Sequence, residues 1–327
     1  MERIGIYGGN FDPPHLGHVQ AAKQAIADRN LDKLLIIPSF ATPKAQSQID
    51  TADLLQRLKM LQLCFAGVPS VEIHSPEEYP DSFCPDDQRV EESASVLTGA
   101  DMRRLLAFRC ADEFLTDDVA RYIQMNNLYG TGKNLRHLPM DRLEQAVISL
   151  LKPNRVAHVL GCRDTAASLA RVWGVDETDA ARAGLLHDIT KALDGQLQLV
   201  LCRAYGVRLD NFSQHNPKTL HALTGSLVAQ RIFGENQAVV DAICSHTTGK
   251  ANMNTLEKII YVADYMEPNR AIDGVEQLRQ FAYTDLDKAL KLGLEMTLTM
   301  LRQQGREISP ESQQALAWLN RKEESIC

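Results

Sequence analysis

Residues 183–193 read AGLLHDITKAL, a stretch that sets a histidine and an aspartate, His187 and Asp188, directly after two leucines in text that otherwise reads as buried helix. A polar group among aliphatic side chains costs a few kcal/mol unless something pairs it. The surrounding text supplies the pairing. Helical spacing puts His158, Cys162, Thr165, Leu169 and Val172 on one stripe and Ala183, His187 and Lys191 on a second. His221, Gly225, Val228 and Ile232 make a third, Val239, Ala242 and His246 a fourth, and Leu256, Ile260 and Asp264 a fifth. One such histidine is ordinarily a core imidazole with a satisfied hydrogen bond. Five coincident cases call for one shared partner, and a divalent metal centre is that partner. Four imidazoles (His158, His187, His221, His246) and two carboxylates (Asp188, Asp264) exceed what one ion with an open position requires, so the count predicts two metals bridged by Asp188. With no cysteine counted among the ligands, the set favours Fe, Mn, Co or Zn in a catalytic site over a structural zinc.

Outward from this centre, residues 140–327 carry helical periodicity almost throughout, broken at Gly174, Gly206 to Pro217, Gly234, Gly249 to Asn254 and Pro268 to Gly274. GTGKNLRHL, residues 130–138, reads as part of a linker spanning 131–139. Before it the text alternates: RIGIYG strand, Leu16 to Arg29 helix, KLLIIPS strand, Ala52 to Phe65 helix, VEIHS strand, which opens a parallel α/β sheet. An acidic, turn-rich loop from Glu77 to Glu92 follows, then a helical segment to about Tyr129. The 327 residues thus divide into a shortened Rossmann-like α/β domain over 1–130 and an all-α domain over 140–327.

Composition limits the partners. With 44% hydrophobic and 24% charged residues the chain reads as globular. No apolar run approaches the roughly 20 residues of a membrane span, so no membrane partner is expected. MERIGIYGG lacks the parts of a secretory signal, and a cytoplasmic location is the expectation. The seven cysteines are scattered and never spaced C-x-x-C, as reduced structural thiols would be. A net charge of −7 argues against a nucleic-acid partner and leaves any phosphorylated substrate to local cations or metals. An apolar helical surface could support a homodimer, but nothing in the text specifies one.

The order His158, His187-Asp188, His221, His246, Asp264 resembles the HD phosphohydrolase superfamily. LLHDITK, HTTGKANM and YVADYMEPNR are similar to the YqeK-type symmetrical diadenosine tetraphosphatases, from about Met140 to beyond Arg302. The resemblance implies a di-iron centre, with Mn, Co or Zn as alternatives, and cleavage of a dinucleoside polyphosphate, diadenosine tetraphosphate, into two ADP. The residues suit in-line attack by activated water on an inner phosphorus. Asp188 and Lys191 are the expected catalytic pair, Lys191 meeting a phosphate oxygen. Thr247, Thr248 and Gly249, directly after His246, and Arg270 are the expected substrate contacts.

GIYGGNFDPPHLGHV, residues 5–19, resembles the H-x-G-H nucleotidyltransferases, in particular nicotinate mononucleotide adenylyltransferase, an enzyme of NAD biosynthesis. The resemblance implies an ATP site on Gly8, Gly9, His15 and His18, with Lys44 and Arg57 where that family carries basic residues; a glycine turn running into a helix start suits anions. This chain departs from the family. Asn10 stands for a small hydroxyl residue, and only Glu77 to Ala94 fill the place of the Gly-Ala-Asp strand, the acceptor-gripping tryptophan region and a further strand. The closing Ser-Ser-Thr motif is reduced to Thr98-Gly99-Ala100, while DDVARYIQMNNLYG keeps the terminal helix. Three readings of this domain stay open: a vestige that binds nucleotide weakly or serves only in packing, a domain that keeps some transferase activity, or an adenine-nucleotide site that regulates the hydrolase. For the HD site the alternatives are another nucleotide phosphoester and a non-catalytic nucleotide sensor.

Overall fold

The structure, a computed structural model, describes residues 2–40, 51–78, 90 and 97–324. The chain divides into two compact units, Met1–Asn134 and Leu135–Cys327.

In the first unit, β1 (Ile4–Gly9), β2 (Lys33–Pro38) and β3 (Val71–Ile73) form a parallel sheet in the order β1-β2-β3. Ile6 pairs with Leu35, and Leu35 with Glu72. β2 reads as a continuous apolar run, with Leu34, Leu35 and Ile36 buried, as a strand covered on both faces requires. α1 (Leu16–Arg29) and α2 (Leu54–Cys64) supply the crossovers. α2 starts in a reciprocal cap, where the Asp53 carboxylate accepts from the Gln56 backbone and the Gln56 side chain accepts from that of Asp53. The expected helical segment to Tyr129 is two helices, α3 (Gly99–Ala107) and α4 (Asp117–Met125); Arg109, at φ 57°, turns the chain between them. Asp12 ties the unit together, accepting from the Ala52 amide (3.1 Å), the Tyr129 hydroxyl (2.6 Å) and Arg103 Nη1 (3.2 Å).

The second unit is helical: α5 (Met140–Leu150), α6 (Val156–Trp173), α7 (Glu177–Leu186), α8 (Gly195–Ala204), α9 (Asn211–His215), α10 (His221–Val228), α11 (Gln237–Ser245), α12 (Thr255–Met266), α13 (Val275–Ala282), α14 (Leu286–Gln303) and α15 (Pro310–Glu324). Its core is aliphatic, with Leu169, Leu185, Leu186, Ile189, Val239, Ile243, Val262 and Leu294 almost fully enclosed. α6 and α7 approach closely because Gly184 presents no side chain: a Cβ there would lie 2.9 Å from the Cys162 carbonyl oxygen. Among the described residues no helix is long and apolar enough to cross a membrane.

Candidate metal centre

The six residues expected from the sequence converge in the second unit. α6 carries His158, α10 begins with His221, and α12 carries Asp264. His187 and His246 stand at helix ends, as the residues after α7 and α11. The expected helical stripe Ala183–His187–Lys191 is therefore corrected: α7 stops at Leu186 and residues 187–193 are tight turns. Buried polar side chains pin these turns, with Thr190 Oγ1 donating to the His221 carbonyl (3.0 Å) and Gln198 Nε2 to the Thr190 carbonyl (2.8 Å). Val172, placed on the buried stripe of His158, is 51% exposed; 14 residues on, the stripe has rotated to solvent.

Each imidazole is oriented from behind. Nδ1 of His187, His221 and His246 lies 2.7, 2.9 and 2.7 Å from the carbonyls of Gly184, Lys218 and Ile243, and Nδ1 of His158 lies 3.1 Å from the Glu267 carboxylate. Carbonyl and carboxylate oxygens only accept, so each Nδ1 carries the proton and each Nε2 presents a lone pair. The four Nε2 atoms face a single carboxylate. Asp188 Oδ2 lies 3.7 Å from Nε2 of His158 and 3.6 Å from that of His187, while Oδ1 lies 3.5 Å from His221 and 3.7 Å from His246. Asp264 Oδ1 joins the first pair, 3.1 Å from His158 and 3.9 Å from His187.

This arrangement fits a pair of cations. Asp188 is 1% exposed and its Oδ1 makes no hydrogen bond, the Lys191 ammonium standing 3.7 Å away, a costly state for a buried carboxylate oxygen. Burial, opposed by Asp264, holds His187 well below the usual histidine range, and burial brings His246 down to about 4, so these rings stay neutral and able to ligate. Burial would raise Asp264, but the Arg270 guanidinium beside it helps to hold it well below the carboxylate range. A carbonyl or carboxylate behind each ligating ring is the usual supporting shell of a metal site.

Cations line the same centre. Lys191 Nζ lies 2.8 Å from His221 Nε2 and 3.7 Å from Asp188 Oδ1, and burial brings its ammonium down to about 8. Arg270 holds Asp264 through Nη2 (2.6 Å) and Nε, and Arg155 pairs with Asp188. The Thr247 hydroxyl lies 3.0 Å from His221 Nε2 and 3.1 Å from His246 Nε2. Thr248 and Gly249 face elsewhere, lining a cavity of about 320 Å³ with Arg208, Phe212, Leu223 and Lys250. Three participants escaped the sequence reading. Arg155 and Glu267 lie at helix ends, off any stripe, although Glu267 follows Asp264 by three residues. Cys162 shares the stripe of His158 without a ligand motif to mark it; its sulfur stands with His158, His187 and Asp264, every ligand atom within 4.8 Å of the others.

In the first unit, His15 caps α1 and its amide donates to His18 Nδ1 (3.0 Å); the two rings lie with centroids 3.7 Å apart, tilted by 33°. Both are buried, and burial, with the neighbouring His18, brings His15 down to about 3. Gly9 lies beside Phe11 at the end of β1, Gly8 is open, and Lys44 lies outside the described residues. Arg57 is 1% exposed and donates to the carbonyls of Asn10 (2.9 Å), Ser39 (2.8 Å) and Phe40 (3.2 Å), so its guanidinium ties strand ends together rather than standing open to a nucleotide.

Comparison with known proteins agrees with both units. Residues 155–269 match the HD domain and residues 6–113 the cytidylyltransferase-like family. A symmetrical bis(5'-nucleosyl)-tetraphosphatase of Bacillus subtilis is 36% identical over 172 residues, 52% of this chain and 91% of that protein. A Mycoplasma pneumoniae protein named "probable nicotinate-nucleotide adenylyltransferase/Ap4A hydrolase" is 26% identical over 351 residues, covering 91% of this chain and 98% of that one. A crystal structure described as a predicted HD superfamily hydrolase involved in NAD metabolism, from Clostridium acetobutylicum, superposes with a TM-score of 0.55 at 35% identity over 57% of this chain and 98% of that one. With its imidazole-carboxylate centre and nearly the whole of such a relative matched, the chain belongs, through its helical unit, to the symmetrical bis(5'-nucleosyl)-tetraphosphatase family.

Proposed function

We propose that the helical unit hydrolyses diadenosine tetraphosphate symmetrically to two ADP at a pair of divalent ions, iron being the first choice among Fe, Mn, Co and Zn. The observation that carries this reading is the Asp188 carboxylate, one oxygen toward His158 and His187, the other toward His221 and His246. His158, His187, Asp264 and Asp188 would hold one ion, and Asp188, His221 and His246 the other. When bound, the pair would lower the pKa of water and offset charge on phosphate oxygens. The chain's own groups do the rest. Lys191, 41% exposed at its side chain, offers an ammonium to a phosphate oxygen beside the carboxylates, and Arg155 and Arg270 flank it. Thr247 contributes a hydroxyl at the same edge. Water adds to an inner phosphorus, the bond to the bridging oxygen breaks, and the departing ADP leaves with the electron pair next to these cations. The test is product chromatography of the full chain loaded with Fe(II) or Mn(II), beside a chelator-treated control. ADP alone, lost with chelator, is expected. AMP with ATP would exclude symmetrical cleavage, and no turnover by a two-metal sample would move the reading to another nucleotide or a sensor.

For the first unit the reading is nucleotide binding without full adenylyl transfer. Support comes from the buried His15–His18 pair at the start of α1, set against Arg57, whose Nη1 and Nη2 donate to backbone carbonyls. ATP binding to the full chain, abolished by His18→Ala, supports this reading. Formation of dinucleotide and pyrophosphate from ATP and nicotinate mononucleotide would overturn it in favour of a transferase.

A further inference from the structure

We infer that Cys162 is a sulfur ligand to the ion held by His158, His187 and Asp264, which makes one half of the centre thiophilic and the other not. The inference rests on the two-metal reading above. Buried cysteines are ordinarily small core hydrophobes, as Cys64, Cys110 and Cys202 are here. Cys162 is placed differently. It follows His158 by one turn on the same face of α6 and is 1% exposed. Its Sγ lies 3.6 Å from His158 Nε2, and Nε2 of His158 lies 3.3 Å from Nε2 of His187. Nitrogen at ~2.05 Å and sulfur at ~2.3 Å from a shared ion, with angles near 110° between them, stand about 3.4 Å apart for N···N and about 3.6 Å for N···S. The observed separations are those of ligands to one ion. The Cys162 sulfur and the ligand atoms of His158, His187 and Asp264 all lie within 4.8 Å of one another, and the buried Asp188 Oδ1, without a hydrogen-bond partner, marks the adjoining half of the centre.

The half formed by His221 and His246 has no such sulfur among the described residues: Cys244, two residues before His246, lines the separate cavity with Thr248 and Gly249. Ligation exchanges the thiol proton of Cys162 for the ion and releases the proton to solvent. A thiolate selects softer ions, so the two halves differ in preference as well as in ligands.

The test is cobalt(II) substitution of the full chain under anaerobic, reducing conditions, with bound cobalt counted by mass spectrometry and the near-ultraviolet sulfur-to-cobalt charge-transfer band recorded. Wild-type protein with two cobalt ions should show the band. Cys162→Ala and Cys162→Val should lose it while circular dichroism stays native, and Cys202→Ala should keep it. Two bound ions without the band, or a band that persists in folded Cys162→Ala, would overturn the cysteine and leave the metal reading standing. Failure to bind cobalt at all would overturn both. A band present in protein that makes no ADP from diadenosine tetraphosphate would uphold the ligand and count against the proposed reaction.

Discussion

Glu267 is 1% exposed and its two carboxylate oxygens are divided, Oε1 toward His158 Nδ1 (3.1 Å) and Oε2 accepting from the Asn269 amide (2.8 Å). It fixes the tautomer of His158 without facing the other ligands. Replacing such a supporting group typically costs 10–100-fold in metal affinity, roughly the loss expected for Glu267→Gln, read by competition with a chromophoric chelator. An unchanged affinity would mean that the ring is held by packing alone. Lys191 has the opposite character, an exposed cation with its head at the centre. A hydrogen bond to a charged group contributes about 1.5–3 kcal/mol, so Lys191→Met should lower kcat/KM for diadenosine tetraphosphate by roughly 10–100-fold with two metals still bound. Loss of metal together with activity would instead make Lys191 a support for His221.

The pairing of α6 with α7 sets the distance between His158 and His187, and Gly184 sets the pairing. A side chain there meets backbone on the facing helix, with Arg163 Cα 3.0 Å from the Cβ position, so neither neighbour can turn aside. The Gly184 carbonyl also orients His187. Gly184→Val should destabilise the helical unit by about 1–3 kcal/mol, as overpacked cores do, and weaken metal binding; Tm and bound metal per chain measure both. The start of α1 yields a prediction about acid. His15 is buried with its pKa brought down to about 3, so below its ordinary value near 6.5 the unfolded chain takes up a proton that the folded chain refuses. Stability is complete above about pH 6.5 and falls as the pH drops toward about 3, by at most about 1.4 kcal/mol per unit. Urea unfolding of the first unit between pH 7 and 5 should therefore be steeper in pH for the wild type than for His15→Gln, by about 2 kcal/mol in total. Equal slopes would show that His15 is protonated without cost. What was legible here was periodicity: the faces bearing His158, His221 and Asp264 repeat at helical spacing and lie on helices. Element ends were not, because the turn after Leu186 and the placement of Arg155 and Glu267 depend on what packs against them, including the buried Thr190–Gln198 contact.

Over the whole molecule, the fold class was written in the alternation of strand and helix before residue 130 and the helical periodicity after residue 140, and each unit has its own apolar core. Glu77 to Ala94 is too short for the strands that resemblance would require; residues 79–89 and 91–96 lie outside the described residues, which form three strands. The fate of Arg57 was not legible, because a basic residue in a motif reads the same whether it faces a ligand or ties carbonyls. Two cores with different ligands imply two thermal responses. Metal bound only to the folded helical unit at about 1,000 times its Kd adds roughly 4 kcal/mol, which for a unit of this size raises its transition by roughly 10 °C. ATP should act on the transition of the α/β unit alone, and His18→Ala should remove that shift while leaving the metal shift intact. Differential scanning calorimetry of the full chain, with metal and ATP added separately, resolves the two. A single transition that moves with either ligand would mean that the units unfold together, so that nucleotide bound at His15 and His18 would also stabilise the metal centre.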